Sequence, residues 1–294
     1  MPSDANLPPD ALPVTPFVDT HCHLDYLVRG RDVAQSPGDD EVPSTGQRPE
    51  DVLARAQEAG LQWLVNPGVQ PKHYAQILAL AERFEPVWAA LAVHPTDVHE
   101  ATPDDAHWQA TLETALDHPK VVALGETGLD FYHSQTHVET QLRWFRYTLA
   151  LAQRLDKPVI IHDRDAHEAV ASTLAEYPGV RGVMHCFSGD AAFARRMIDM
   201  GFYISFAGNV TFKNAHALRE AAAAVPPEWL LVETDAPFLS PVPYRGQVNE
   251  PARVAQVLAC LAEVKGLSYE ALARQTTQNA ACLFGLPAAV AGQS

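Results

Sequence analysis

Two histidines one residue apart, in Asp19-Thr20-His21-Cys22-His23, are the first residues in this chain whose types and spacing could do chemistry. Side chains two apart on an extended backbone share a face, so His21 and His23 converge while Cys22 turns away. Similar groups recur at the ends of later apolar runs. They are His94 before Pro95, Glu126 in Gly125-Glu126-Thr127-Gly128, His162, His185, and Asp235 in Glu233-Thr234-Asp235. A single histidine after a strand is ordinarily a hydrogen-bonded loop residue. Five with two carboxylates at such positions would be costly to bury without a partner, and a bound cation compensates. Imidazole with carboxylate suits zinc, manganese or iron, and carboxylate with water also admits magnesium. No thiolate is aimed at the set, so an open, water-bearing catalytic centre fits better than a closed structural zinc. Two ions roughly 3.5–4 Å apart need a bridge, and a carboxylate is the natural one. The remaining histidines, His73, His99, His107, His118, His133, His137, His167 and His216, fall in helical or loop stretches and read as solvated or structural.

Eight apolar runs must position these groups: residues 17–20, 63–66, 87–93, 121–124, 159–161, 182–184, 202–206 and 230–232. Continuous apolar character, rather than alternation, belongs to strands buried on both faces of a parallel sheet. Helical periodicity fills the gaps. Residues 49–59 open with proline and acids and stop at Gly60; residues 191–200 stop at Gly201. Residues 140–155 turn Leu142, Phe145, Leu149 and Leu155 towards a core, and 250–265 and 268–284 read as two closing helices. The pattern predicts an α/β fold, a single-domain (β/α)8 TIM barrel whose C-terminal mouth carries the candidate ligands. An open doubly wound sheet is the alternative, but no GxGxxG or Walker-type loop follows any run.

Residues 17–286 are assigned to the barrel. Residues 1–16, with five prolines, two aspartates and no basic side chain, read as a disordered N-terminal tail, and 287–294 as a C-terminal tail. Residues 28–48, rich in Gly, Pro, Asp and Ser, read as a long loop. The chain's 294 residues are 47% hydrophobic and 19% charged, enough for a full core. No run approaches the roughly 20 apolar residues that span a bilayer. With no export signal visible, a cytoplasmic location with no membrane contact is expected, and Cys22, Cys186, Cys260 and Cys282 are expected to be reduced. Twenty-one basic against 36 acidic residues give a net charge of −15. That field argues against coating long duplexes, but not against handling one strand end at a cationic centre.

In order along the chain stand Asp19-Thr20-His21-Cys22-His23-Leu24-Asp25, Ala92-Val93-His94-Pro95, Gly125-Glu126-Thr127-Gly128-Leu129-Asp130, Ile161-His162, His185-Cys186-Phe187-Ser188-Gly189 and Glu233-Thr234-Asp235-Ala236-Pro237. Pro243-Tyr244-Arg245-Gly246, Asn249-Glu250-Pro251 and residues 277–284 extend the set. Together these resemble the TatD family of metal-dependent deoxyribonucleases, amidohydrolase-like barrels, over nearly all of residues 17–286. The resemblance implies that His21, His23, Glu126 and Asp235 hold one divalent ion (Mg, Mn or Zn). It implies that Glu126 bridges to a second, held also by His162 and His185. Asp235 and Glu126 are the implied catalytic residues, Asp235 orienting or deprotonating the attacking water. His94, Arg164, Ser188, Tyr244 and Arg245 are candidates for gripping phosphate and nucleotide, and Phe187 is either a stacking face or a core aromatic. Thr127, the Phe131-Tyr132 pair and the length of 28–48 depart from the family pattern, which bears on substrate rather than on the ligands.

The implied reaction is phosphodiester hydrolysis by a two-metal activated water, removing nucleotides from 3′ ends of DNA, with single strands or 3′ ends as substrate and no obligate protein partner. The same centre would polarise a carbonyl, so cleavage of an amide, lactone or aminoacyl-tRNA ester is the rival chemistry. A non-catalytic adaptor is the rival class; loss of Asp235 would be its mark, and Asp235 is present.

Overall fold

The structure, a computed structural model, describes residues 12–28, 46–99, 102–103, 105–133 and 135–288. Residues 1–11 of the expected tail, 29–45 of the expected loop and 289–294 lie outside these. Eight strands run β1 (Phe17–Asp19), β2 (Leu61–Gly68), β3 (Val87–Leu91), β4 (Val121–Asp130), β5 (Val159–Arg164), β6 (Gly182–Met184), β7 (Phe202–Phe206) and β8 (Leu230–Val232). They pair in sequence order, every neighbour parallel. Backbone bonds beyond the last strand complete the ring. Thr20 N–H donates to Val232 O (3.2 Å), Asp235 N–H to His21 O (2.9 Å) and His23 N–H to Ala236 O (2.8 Å). The expected (β/α)8 barrel is the fold.

The helices of the described residues are α1 (Leu24–Val28), α2 (Pro49–Ala59), α3 (Tyr74–Arg83), α4 (Ala106–Leu116), α5 (Val138–Leu155), α6 (His167–Ala175), α7 (Ala191–Asp199), α8 (His216–Ala224), α9 (Val254–Lys265) and α10 (Tyr269–Phe284). None is long and apolar enough to cross a membrane. The longest, α5, buries Gln141, Trp144, Phe145, Thr148, Leu149 and Ala152, a stripe at three- and four-residue spacing laid on the strands. Leu142 and Leu155 flank that stripe, half-buried. The closing helix α9 starts at Val254 rather than 250, because Pro251–Arg253 form a 3-10 turn first.

Two apolar layers result. The larger lies between strands and helices. The smaller joins Val18, Val65, Ala90, Ala123, Ile160, Val183 and Leu231 with Ala280, Leu283 and Phe284 of α10, with Tyr203 of β7 against it. Side chains from all eight strands meet in this way only inside the barrel. α10 closes that interior at its N-terminal end, where Trp63 Nε1–H donates to Pro287 O (3.1 Å). Ile160, Val183 and Leu231 each stand two residues before His162, His185 and Glu233, so the same strand face carries an apolar floor and then polar groups at the mouth. All four cysteines are free.

Candidate metal centre

β4 brings Glu126 to the centre by an irregularity. Leu124 pairs with Val159 and Thr127 with Ile161, so three steps along β4 match two along β5. Such a bulge re-aims a side chain, and Glu126 within it is buried. Beyond the bulge the ladder resumes, with Gly128 opposite His162 and Asp130 opposite Arg164. Gly128 has φ +142°, and a Cβ there would meet the His162 carbonyl oxygen at 2.0 Å, so the close approach of these strands needs glycine. Asp235 is held at φ 53°, a left-handed conformation that costs a non-glycine residue about 1 kcal/mol or more.

The two oxygens of Glu126 face different donors. Oε2 lies 3.3 Å from His21 Nε2 and 3.8 Å from His23 Nε2. Asp235 Oδ1 is 3.6 Å from each of those nitrogens, which are 3.2 Å apart. Four ligands arranged tetrahedrally about 2.0–2.2 Å from one ion stand roughly 3.3–3.6 Å from each other. This donor set fits a divalent ion. Oε1 of Glu126 lies 2.8 Å from His162 Nδ1, 2.9 Å from His185 Nε2 and 3.3 Å from His94 Nε2.

Hydrogen bonds at the far ring nitrogens sort these three histidines. His162 Nε2 meets Asp130 Oδ2 (3.1 Å) and His185 Nδ1 meets Glu233 Oε1 (3.0 Å). Each carboxylate takes a ring N–H, which turns His162 Nδ1 and His185 Nε2 towards Glu126, as donors while the rings are charged and as lone pairs for a cation once that proton is lost. His94 is the reverse case. Its Nδ1 accepts from Thr96 N–H (3.2 Å), so Nε2 carries the proton and offers a donor. The orienting carboxylates are themselves fixed. Asp130 N–H donates to Gln141 Oε1 (2.9 Å), and Glu233 accepts from Ser205 Oγ (2.7 Å) and Cys186 N–H (2.7 Å). Asp19 ties the mouths of β1 and β8, accepting from Thr234 Oγ1 (2.5 Å), Thr234 N–H and His21 N–H.

Charge follows this wiring in the metal-free chain. Burial, then the neighbouring imidazoles, push His21 down and His23 well down. Burial also opposes charge on His162, but the bonds to Asp130 and Glu126 outweigh it and hold the ring at about 9. His185 is likewise driven well up by Glu126 and Glu233 against burial. Glu126 is buried, yet His185, His94 and His21 keep it well below the ordinary carboxylate range. Burial pushes Asp235 well up, and Asp19 up to about 8.

The model of the TatD-related DNases matches residues 18–285. The chain belongs to that family. A metal-dependent hydrolase of the TatD family is therefore what the barrel and its donor sets constitute. YabD of Bacillus subtilis, a metal-dependent hydrolase, is 38% identical over 90% of this chain and 98% of its own. YcfH of Escherichia coli K12, also a metal-dependent hydrolase, is 38% identical over 92% of this chain and 97% of its own. The crystal structure of YjjV, a TatD homologue from E. coli K12, superposes with a TM-score of 0.81 at 33% identity, covering 92% of this chain and 98% of that one.

In this TatD-family barrel the six residues expected as ligands, His21, His23, Glu126, His162, His185 and Asp235, come together at one mouth. Of the residues expected at substrate, only His94 touches Glu126. Arg164, exposed at the end of β5, lies over the Tyr132 ring. Ser188 lines a cavity of about 550 Å³ beside the mouth with His167, Asp190, Phe193 and Arg196. Tyr244 and Arg245 sit on the turn after β8, Tyr244 under Arg253 (4.1 Å) and Arg245 over Phe212 (3.7 Å). Phe187 is a core aromatic, buried between Phe193 and Phe206. Residue spacing left the orienting roles of Asp130 and Glu233 unassigned. Strand alternation pointed to Glu233, two residues after inward Leu231; for Asp130 the bulge shifts the alternation, and no local signal remained.

Proposed function

We propose that this protein hydrolyses phosphodiesters, trimming DNA from 3′ ends, with two divalent ions seated on either side of Glu126. The observation carrying this reading is the division of one buried carboxylate between two donor sets. One ion would be held by His21, His23, Glu126 and Asp235, the other by Glu126, His162 and His185. When bound, such ions neutralise charge developing on phosphoryl oxygens and make water acidic enough to attack. The protein's own groups supply the rest. Asp235, its Oδ1 3.6 Å from both His21 and His23 Nε2, takes the proton from the attacking water. His94 Nε2–H donates to a non-bridging phosphate oxygen. Arg164, exposed at the mouth, offers a planar fork to the phosphate. DNA as substrate is supported by the family's description as DNases.

The test is a 5′-labelled single-stranded oligonucleotide offered to metal-stripped protein with magnesium or manganese restored. Stepwise shortening is expected, lost on chelation, and ~10²–10⁴-fold slower in Asp235→Asn. A 3′-blocked strand that is still shortened would reverse the polarity. Full-length DNA with metal-loaded wild type, beside turnover of an aminoacyl ester, would hand the site to carbonyl chemistry.

A further inference from the structure

Tyr132 is 60% exposed, the one aromatic among the exposed large hydrophobic side chains of the described residues. An exposed ring on a loose loop would mean little, but this one is fixed. Tyr132 N–H donates to Asp130 Oδ1 (3.0 Å), and His133 holds the same carboxylate through its N–H (2.6 Å) and Nδ1 (2.9 Å). That carboxylate also orients His162. On the other side Phe131 N–H donates to Arg164 O (2.9 Å), and the Phe131 side chain packs on the core. The turn is thus tied to the metal centre's own scaffold.

Arg164 stands with its guanidinium 5.0 Å from the centre of the Tyr132 ring, and the His133 ring meets the tyrosine edge-on at 4.6 Å. Among the described residues Arg164 has no carboxylate partner, so its charge is free for an anion. Arg164 stands two residues beyond His162 on β5, opposite Asp130, which places that charge at the mouth. A fixed aromatic face backed by an unpaired cation, next to a phosphate-cleaving centre, has the composition of a single-strand stacking platform.

We propose that Tyr132, backed by Arg164, stacks the nucleobase adjoining the scissile phosphate without reading its identity. The proposal rests on the phosphodiesterase reading above. Every base offers a π face, so such a contact tightens binding of any sequence, and it requires the base to be unstacked from a duplex.

Steady-state kinetics on a 5′-labelled single strand would compare wild type, Tyr132→Ala and Tyr132→Phe. A second strand would carry an abasic nucleotide at the penultimate position. The expected result is a KM raised about 5- to 100-fold in Tyr132→Ala and restored by Tyr132→Phe. The abasic strand should be penalised in wild type but not in Tyr132→Ala, a coupling that mere support of the loop would not produce. If wild type shortens the strand and Tyr132→Ala does so with the same KM, the platform is wrong while the nuclease stands. If KM rises in Tyr132→Ala and the abasic penalty persists unchanged, the ring does not stack a base and the platform is likewise wrong. If wild type shortens no strand at all, the phosphodiesterase reading falls and the platform with it.

Discussion

His21 and His23, on the Oε2 face of Glu126, keep their Nδ1 atoms buried with no hydrogen-bond partner among the described residues, and burial pushes both rings down. Instead of an outer carboxylate, His21 stacks on His185 at 3.8 Å and His23 on Tyr26 at 4.9 Å. On the Oε1 face, His162 and His185 are each tied to an outer carboxylate and driven up. One face therefore presents two neutral imidazoles at ordinary pH, beside the Asp235 carboxyl that burial pushes up. The other presents more basic ligands that must shed a proton before they can hold a cation. One carboxylate thus joins two sites with different proton linkage.

Breaking the shared element should have the largest effect. Glu126→Gln removes the charge common to both faces, and activity should fall ~10³-fold or more, since the members of a catalytic unit do not act independently. Metal analysis of the same variant should show depletion at both positions. Next come the outer carboxylates. Asp130→Asn or Glu233→Gln should weaken metal at the Oε1 face ~10- to 100-fold and leave the Oε2 face nearly untouched, as read by two-phase calorimetric titration. Equal weakening of both phases would erase the distinction between the faces.

A pH series sharpens the same contrast. The folded pKa of His162, about 9, lies above its ordinary value of 6.5. In metal-free protein its pairing with Asp130 and Glu126 stabilises fully below about 6.5 and is lost as pH rises through about 9. A cation competes with that proton, so affinity at the Oε1 face should climb from pH 6 to pH 9. At the Oε2 face His21 and His23 are already neutral, and only Asp235, which burial pushes well up, has a proton to shed. Two rings must shed one at the Oε1 face, so affinity at the Oε2 face should vary less steeply over that window. The smallest effect is expected at the far end. Ser268 Oγ caps α10, accepting from Ala271 N–H at 3.2 Å, and Ser268→Ala should cost about 1 kcal/mol in urea unfolding with metal binding unchanged.

The sequence made the barrel legible because each apolar run is short, continuous and followed by a polar end, and α2, β6, β7 and β8 fall where the runs and helix stops put them. It made the ligands legible because His21, His23, His162, His185 and Asp235 stand directly at those ends. β4 was read short. Gly125-Glu126-Thr127-Gly128 resembles a turn, and only its pairing with β5 keeps it extended to Asp130. The outer carboxylates were hidden for a related reason. Asp130 acquires its meaning from His162, 32 residues away, and Glu233 from His185, 48 residues away. Local spacing carries nothing of such partnerships. In the sequence Tyr132 stands out only as part of an unusual pair, and its exposure is a property of the folded loop.

The most direct test of the account is the number and position of bound ions. Crystals grown with manganese or zinc, measured at the metal's absorption edge, should show two anomalous peaks, one at each oxygen of Glu126. In Glu126→Gln both should weaken or vanish. A single ion in wild type at saturating metal, or a second ion that does not touch Glu126, would contradict the bridging role on which the mechanism is built.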